Sequence, residues 1–180
     1  MRGFTLLELL VAMTILVSFL GLGIPKLNHF IDRHQAHTDI LTLRRVLFQA
    51  RSTAQHTSSH ITVCPTRHNA CSDDWQDPIR VFQDINLNNI LDEDEVIYST
   101  TDLSSNMGYW KKSKAKQNFV RFNPLGHAFS SASTFLYCPY SKHYELAKSI
   151  IINFQGRIRI DDYLNSKGSP YSKYQRYACE

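Results

Sequence analysis

An unbroken apolar run occupies the start of the chain. It begins at Phe4, ends at Ile24 and contains a single charge, that of Glu8. As a helix rising about 1.5 Å per residue, such a run extends roughly 31 Å, which matches a bilayer core of about 30 Å. The pattern therefore predicts a membrane-spanning helix over residues 4–25.

The helix is predicted to continue beyond Pro25 as an amphipathic segment over residues 26–60, because its apolar positions fall largely on one stripe. These positions are Leu27, Ile31, Leu41, Val46, Leu47, Ala50 and Ala54. Pro25 removes one helical hydrogen bond, so we expect a kink where the apolar run ends.

After His56 the pattern changes to short apolar segments separated by turn residues, which predicts β-strands. The predicted strands are Ile61–Cys64, Ile79–Asp84, Glu95–Ser99, Phe119–Phe122, Thr134–Cys138, Ser149–Phe154 and Arg157–Ile160. Turns are expected at Pro65–Asp77 and at Ser104–Gly108. A long helix followed by antiparallel strands indicates an α+β fold, with a β-rich head over residues 61–163 and an irregular tail over 164–180.

The residues around the start of the apolar run carry a second signal. Gly3 precedes the run, and a carboxylate inside an apolar span costs about 2.5 kcal/mol or more, so Glu8 requires a partner. The sequence Gly3-Phe-Thr-Leu-Leu-Glu resembles the start of type IV pilins and pseudopilins. An ordinary secretory signal would end in small residues at a cleavage site, which is absent here, and a plain signal-anchor leaves Gly3 unexplained.

This resemblance implies how the chain is processed and where it resides. A prepilin peptidase would remove residues 1–3 by cutting after Gly3 and would methylate the new amine of Phe4. Glu8 would then pair with the N-terminus of a neighbouring pilin subunit. The precursor would cross the inner membrane once with its head in the periplasm, and would later join a pilus that reaches the cell surface.

Four cysteines in an exported head favour two disulfides over a metal site. Three pairings are possible; we favour Cys64–Cys71, which closes a short loop, and Cys138–Cys179, which would attach the tail to the head. A zinc site is the alternative, but the sequence has no C-x-x-C pair. Neither a nucleophile–base–acid arrangement nor a phosphate-binding glycine loop is present, so we expect no enzyme activity and no cofactor.

Charge is distributed unevenly along the chain. Residues 1–110 contain 8 Lys+Arg and 12 Asp+Glu, a net charge of −4, whereas residues 111–180 contain 12 and 4, a net charge of +8. An imbalance of this size bears on partners rather than on the fold. The basic part favours a polyanion as partner, although a solvated basic face is the alternative.

The sharpest signal in the basic part is a predicted hairpin. Gly156 suits a turn position of positive φ. In the following strand Arg157 and Arg159 share one face, about 6.6 Å apart along the strand, while Ile158 and Ile160 share the other. If the isoleucines enter the core, the arginines point outward and can bind neighbouring phosphates.

Three segments resemble the GspH/FimT family of minor pilins and pseudopilins. They are Trp75–Asn89, Val120–Gly126 and Ile150–Arg159. The resemblance implies that Gly156, Arg157 and Arg159, which match a G-R-x-R motif, bind double-stranded DNA non-specifically during natural transformation. Further basic residues extend this field into the tail. They are Lys167, Lys173 and Arg176.

Three alternatives remain open for the basic part. The arginines are solvated or bind a neighbouring subunit; the chain is a structural minor pilin that primes pilus assembly; or it is minor pseudopilin H of a type II secretion system. The sequence also departs from the resemblance at His127, where relatives often have arginine. A cation at this position depends on pH.

A segment of regularly spaced oxygen ligands is a weaker candidate for a calcium site. These residues are Asp84, Asn86, Asn88, Asp92 and Glu95. Their spacing follows a calcium-binding loop with Glu95 in the twelfth place. However, the flanks are predicted strands rather than helices, so a polar turn is the favoured interpretation.

The role of Glu8 gives a first prediction. Replacing Glu8 with Ala removes the charge that the resemblance assigns to subunit pairing, so the variant should be absent from sheared pili while its precursor still accumulates in the membrane. Immunoblots of both fractions measure this. Normal pili containing the variant would contradict the assigned role.

Overall fold

The structure, a computed structural model, describes residues 5–103, 107–113, 117–128, 132–164 and 178–179, with the backbone alone over 19–29. The chain forms two compact units, Met1–Gln35 and Ala36–Glu180. The first consists of helix in its described part, and the second contains the strands.

A single helix, α1 (Leu6–Thr57), opens the described chain. The Thr5 N–H and hydroxyl donate to the Glu8 carboxylate at 3.0 and 3.2 Å, and the Glu8 N–H donates to the Thr5 hydroxyl oxygen at 3.3 Å. This reciprocal arrangement is a capping box, which satisfies two N–H groups that lack helical partners. At the other end the helix stops three residues earlier than predicted, because Ser58 adopts a φ of 51°.

The first unit exposes large aliphatic side chains from Leu6 to Val17. Among the residues whose side chains are described, no helix is long and apolar enough to cross a membrane. The rest of the predicted span, Phe4 and residues 19–25, lies outside the described side chains, so the span stays a prediction. The kink at Pro25 stays one too.

The buried stripe of α1 within the second unit differs in part from the predicted one. It follows the helical repeat through Ala36, Ile40, Leu43, Leu47, Ala50 and Ala54, with Val46 beside it. Ile31 is exposed and Leu41 is only half-buried. The reason is phase: Leu41 lies one residue, about 100° of helical rotation, away from the stripe that begins at Ala36.

In the described part of the chain nine strands follow the helix, with the short 3₁₀ helix Tyr144–Leu146 before β8. They are β1 (Ile61–Arg67), β2 (Ala70–Cys71), β3 (Ile79–Gln83), β4 (Ile97–Thr101), β5 (Gly108–Lys112), β6 (Val120–Phe122), β7 (Ser133–Pro139), β8 (Lys148–Ile152) and β9 (Ile158–Asp162). The first sheet has the order β2-β1-β3-β4, with β6 also paired to β1, and the second has the order β5-β7-β8-β9. The strands of both sheets pair antiparallel in the described residues, which confirms the α+β fold.

One core joins the helix to both sheets. The α1 stripe shares a buried cluster with Val63 and Val81 of the first sheet and with Phe135 and Ile150 of the second. Burying such aliphatic and aromatic side chains is the main favourable term in folding. The helix therefore carries the face on which the two sheets are assembled.

Two predicted turns contain strands. Within Pro65–Asp77, β1 runs on to Arg67 and pairs with β2. Of the other predicted turn, residues 104–106 lie outside the described residues, whereas Gly108 starts β5. A Cβ at Gly108 would lie 2.5 Å from the Tyr137 ring. A glycine inside a strand often marks such a close approach rather than a turn.

Both disulfides form with the pairing that the sequence favours. Cys64–Cys71 joins β1 to β2, and Cys138–Cys179 joins β7 to the C-terminal tail. The second disulfide packs in a small cluster with Leu136 and Tyr163 on the face of the second sheet that is turned away from the main core. The tail is therefore attached to the head at its end.

Loop closure predicts unequal contributions from the two disulfides. They close loops with sequence separations of 7 and 41. Replacing Cys64 and Cys71 by serine should cost about 2.5 kcal/mol of unfolding free energy, and replacing Cys138 and Cys179 about 4 kcal/mol, in the chain-entropy treatment. Urea unfolding of the two variants measures this, and equal losses would contradict the expected order.

Candidate nucleic-acid interface

The basic motif lies on a closed turn between β8 and β9. The Gly156 N–H donates to the Asn153 carbonyl at 2.9 Å, and the Arg157 N–H donates to the Asn153 side-chain oxygen at 2.8 Å. Gly156 has a φ of 74°, a backbone conformation that residues other than glycine rarely adopt. The turn therefore fixes the backbone directly before the arginines.

A second turn, between β6 and β7, has the same construction. The Gly126 N–H donates to the Asn123 carbonyl at 2.7 Å, and the His127 N–H donates to the Asn123 side-chain oxygen at 2.9 Å. Gly126 also has a φ of 74°. Both turns have the spacing N-x-x-G in the sequence, a signal from which this repetition could have been predicted.

The two turns pack directly against each other. A Cβ at Gly156 would lie 1.9 Å from the Gly126 carbonyl oxygen, a distance that no side chain can accommodate. The Ala128 N–H also donates to the Phe154 carbonyl at 3.0 Å. Gly156 is therefore required both by its φ and by this contact, and the two turns form one unit, which we call the paired turns (Asn123–His127 and Asn153–Arg157).

Helix α1 holds the paired turns through Arg51. Its Nε donates to the Gly126 carbonyl at 3.0 Å, and its Nη2 donates to the Gln155 carbonyl at 3.4 Å. One turn further along α1, the Gln55 amide donates to the Leu125 carbonyl at 3.3 Å. Nothing in the sequence marks Arg51 for this role, because its acceptors are 75 and 104 residues away.

Arg157 and Arg159 are both exposed. The observed strand starts one residue later than predicted, because Arg157 closes the turn and β9 begins at Ile158. Ile158 packs against the core as predicted, but Ile160 is 37% exposed. The reason is that β9 is the last strand in the described order of its sheet, so the core covers it incompletely.

Two lysines of the second sheet differ from the exposed arginines in their surroundings. At the end of β9 far from the turn, Asp162 forms an ion pair with Lys148 of β8. On β5, burial lowers the pKa of Lys112 to about 8, so this lysine loses its charge at a lower pH than an ordinary lysine. Three further predicted DNA contacts, Lys167, Lys173 and Arg176, lie outside the described residues.

The segment proposed as a calcium loop is organised around an arginine. Asp84 is fully buried, and its Oδ2 accepts hydrogen bonds from Arg121 Nη2 at 2.5 Å and from the Thr62 hydroxyl at 2.8 Å. The same Arg121 nitrogen donates to the Asn89 side-chain oxygen at 2.5 Å. A guanidinium group thus supplies the positive charge at the first ligand position of the proposed site.

Two other carboxylates of this segment accept hydrogen bonds from within it. Glu95 accepts from the N–H groups of Ile85 and Asp92 at 2.8 and 3.2 Å. Asp92 accepts from the side-chain amides of Asn86 and Asn88 at 2.8 and 3.0 Å. In the described part of the chain no three His, Cys, Asp or Glu side chains converge on a possible metal position. Calcium binding by this segment, which would also use asparagine oxygens, stays a prediction.

Two family profiles match the chain. The profile of the type II transport protein GspH matches residues 41–156, and the profile of the prokaryotic N-terminal methylation motif matches residues 1–24. The first match contains the paired turns up to Gly156 as well as most of both sheets. No curated protein matches the sequence.

Two similar solved structures are crystal forms of the type IV minor pilin FimU from Pseudomonas aeruginosa. The P21 form has a TM-score of 0.58 at 19% identity, over 73% of this chain and 92% of that chain. The P65 form has a TM-score of 0.54 at 18% identity, over 69% and 91%. At these identities the similarity shows the fold.

The contact between the two glycines gives a testable prediction. Gly156→Ala should destabilise the head by about 2 kcal/mol or more, because the methyl group meets a backbone carbonyl in a left-handed conformation. Gly126→Ala is the matched control: it has the same φ, but its methyl group meets the Gln55 side chain at 2.8 Å, which can move. Thermal unfolding compares them, and equal losses would contradict the carbonyl contact.

Proposed function

Because this chain belongs to the GspH family and carries the N-terminal methylation motif, we propose that it is a minor type IV pilin whose head binds double-stranded DNA without sequence preference. The bound DNA would be taken up in natural transformation. The observation that carries this proposal is the exposure of Arg157 and Arg159 on a backbone held by hydrogen bonds.

The rigid turn favours binding by lowering its entropic cost. Asn153 fixes the backbone of Arg157, and Arg51 and the Gly126 contact hold the turn itself. A preorganised backbone leaves only the two arginine side chains to be ordered when a ligand arrives. Guanidinium groups donate paired hydrogen bonds to phosphate oxygens, which carry no sequence information.

The uneven distribution of charge along the chain also supports DNA as the partner. The net charge of +8 over residues 111–180 favours association with a polyanion, while the net charge of −4 over residues 1–110 restricts the favourable approach to one part of the chain. Phosphate contacts release counterions, so binding of this kind weakens steeply as salt rises.

The N-terminal helix would anchor the chain in the inner membrane before assembly and in the pilus afterwards. We infer cleavage after Gly3, methylation of Phe4, a single inner-membrane span and a periplasmic head before assembly. The Glu8 carboxylate, which we assign to pairing with the N-terminus of a neighbouring subunit, accepts a hydrogen bond from the Thr5 N–H at 3.0 Å.

A second candidate function is favoured by the description of the matching family, type II transport protein GspH. In that case the chain is minor pseudopilin H of a type II secretion system, or a structural subunit that primes assembly without binding DNA. The exposed arginines would then contact a neighbouring subunit. DNA binding by the purified chain distinguishes these functions.

Titration of the full chain in detergent with labelled duplex DNA tests the proposal. We expect Arg157→Gln with Arg159→Gln to weaken binding at least tenfold and to reduce the slope of log K against log salt by about 1.8, about 0.9 for each phosphate contact. The matched control is Arg44→Gln with Arg45→Gln, which removes the same charge from two exposed arginines of α1.

The outcomes separate three cases. A much larger loss for the Arg157 and Arg159 pair than for the control pair supports a site at the paired turns. Equal losses would show binding by general positive charge and would contradict the assigned residues. An unmutated chain that fails to bind duplex DNA at low salt would overturn DNA binding altogether.

A further inference from the structure

The segment from the end of β3 to the first residue of β4 exposes an unusual amount of aliphatic surface. Five large side chains within thirteen residues are between 43 and 59% exposed. They are Ile85, Leu87, Ile90, Val96 and Ile97, and we call them the loop patch. Single exposed aliphatic residues are common on protein surfaces, whereas a concentration of them marks an interaction site.

The backbone under the loop patch is fixed without any partner. Buried Asp84 is held by Arg121 at the start of the segment, and Glu95 accepts the Ile85 N–H near its end. The Gln83 N–H also donates to the Val96 carbonyl at 2.9 Å. These bonds connect Ile85 with Val96, so at least this part of the patch forms one preorganised surface.

The backbone conformation of Leu87 is a second, independent indication of an interaction site. Its φ of 63° lies in the left-handed region, where a branched side chain is strained. Asn89 has the same φ in the same segment, and asparagine tolerates this conformation far better. Leu87 is also 43% exposed, so burial of its side chain adds little stability to the fold. Packing within the chain therefore does not offset the strain of its backbone.

Charge narrows the choice of partner. Glu93 and Asp94 are exposed and Asp92 is half-buried, so acidic groups flank the aliphatic side chains. Such a surface repels nucleic acid and anionic lipid, and it complements a protein surface with an apolar centre and a basic rim. Membership of the pilin family supplies partners of one kind, since pilins assemble with other pilins.

We propose that the loop patch docks the head of a different pilin subunit, through an aliphatic centre and a basic rim on that subunit. Leu87 is the central anchor of the contact, and its strained backbone is retained for this contact rather than for the fold. The inference is separate from DNA binding: failure of the DNA titration leaves it intact.

Leu87→Asn in cells that assemble pili tests the proposal. The variant should keep or raise the thermal midpoint of the full chain, because asparagine relieves the strain at this φ. Its amount in sheared pili should fall about tenfold, as expected for the loss of an interface anchor. Tyr140→Asn is the control: it also replaces an exposed large side chain with asparagine, but outside both the loop patch and the paired turns, and it should leave incorporation unchanged.

A photoreactive amino acid identifies the partner. Placed at the exposed Asn88, beside Leu87, it should crosslink to another pilin chain, identified by mass spectrometry. The same group at the exposed Lys142, after β7, should not. Normal incorporation of Leu87→Asn, a lowered thermal midpoint, or crosslinks only to a second copy of this chain or to proteins other than pilins would each overturn the proposal.

Discussion

Burial of one stripe of helix α1 is the constraint on which the head depends. From Ala36 to Ala54 this stripe supplies the surface that covers the inner faces of both sheets. Neither sheet is large among the residues that the structure describes: the second has four strands, and the first has β6 attached beside its path of four. Without the helix, both sheets would expose their apolar inner faces to water, so helix and strands are stable only together.

The same helix fixes the candidate site from its flank. Arg51 and Gln55 lie on a side of α1 next to the buried stripe, and they donate to carbonyl groups of both paired turns. The position of the basic motif is thus set by the packing of the core. A chain that buries the stripe correctly places Arg51 where it reaches both turns, so folding and site formation are one event.

Local patterns in the sequence predicted the fold well, because helix and strand periods are local properties. The phase of the buried stripe was predicted less well, since Leu41 and Leu43 are equally apolar and only the contact with the sheets distinguishes them. Gly108 was taken for a turn residue because its close neighbour, the Tyr137 ring, is 29 positions away. The turn at Gly156 was predictable, but its contact with Gly126 and its bonds to Arg51 required the tertiary structure.

The ring closed by Cys138 and Cys179 has a mechanical consequence. It spans a sequence separation of 41 and contains β8, β9 and the exposed arginines. A load applied at Arg157 or Arg159 therefore acts inside a covalently closed segment, whose extension is limited by the length of the ring. A single cut in the peptide backbone within the ring would also leave both pieces joined, so the basic segment stays attached to the head under pulling and after proteolytic nicking.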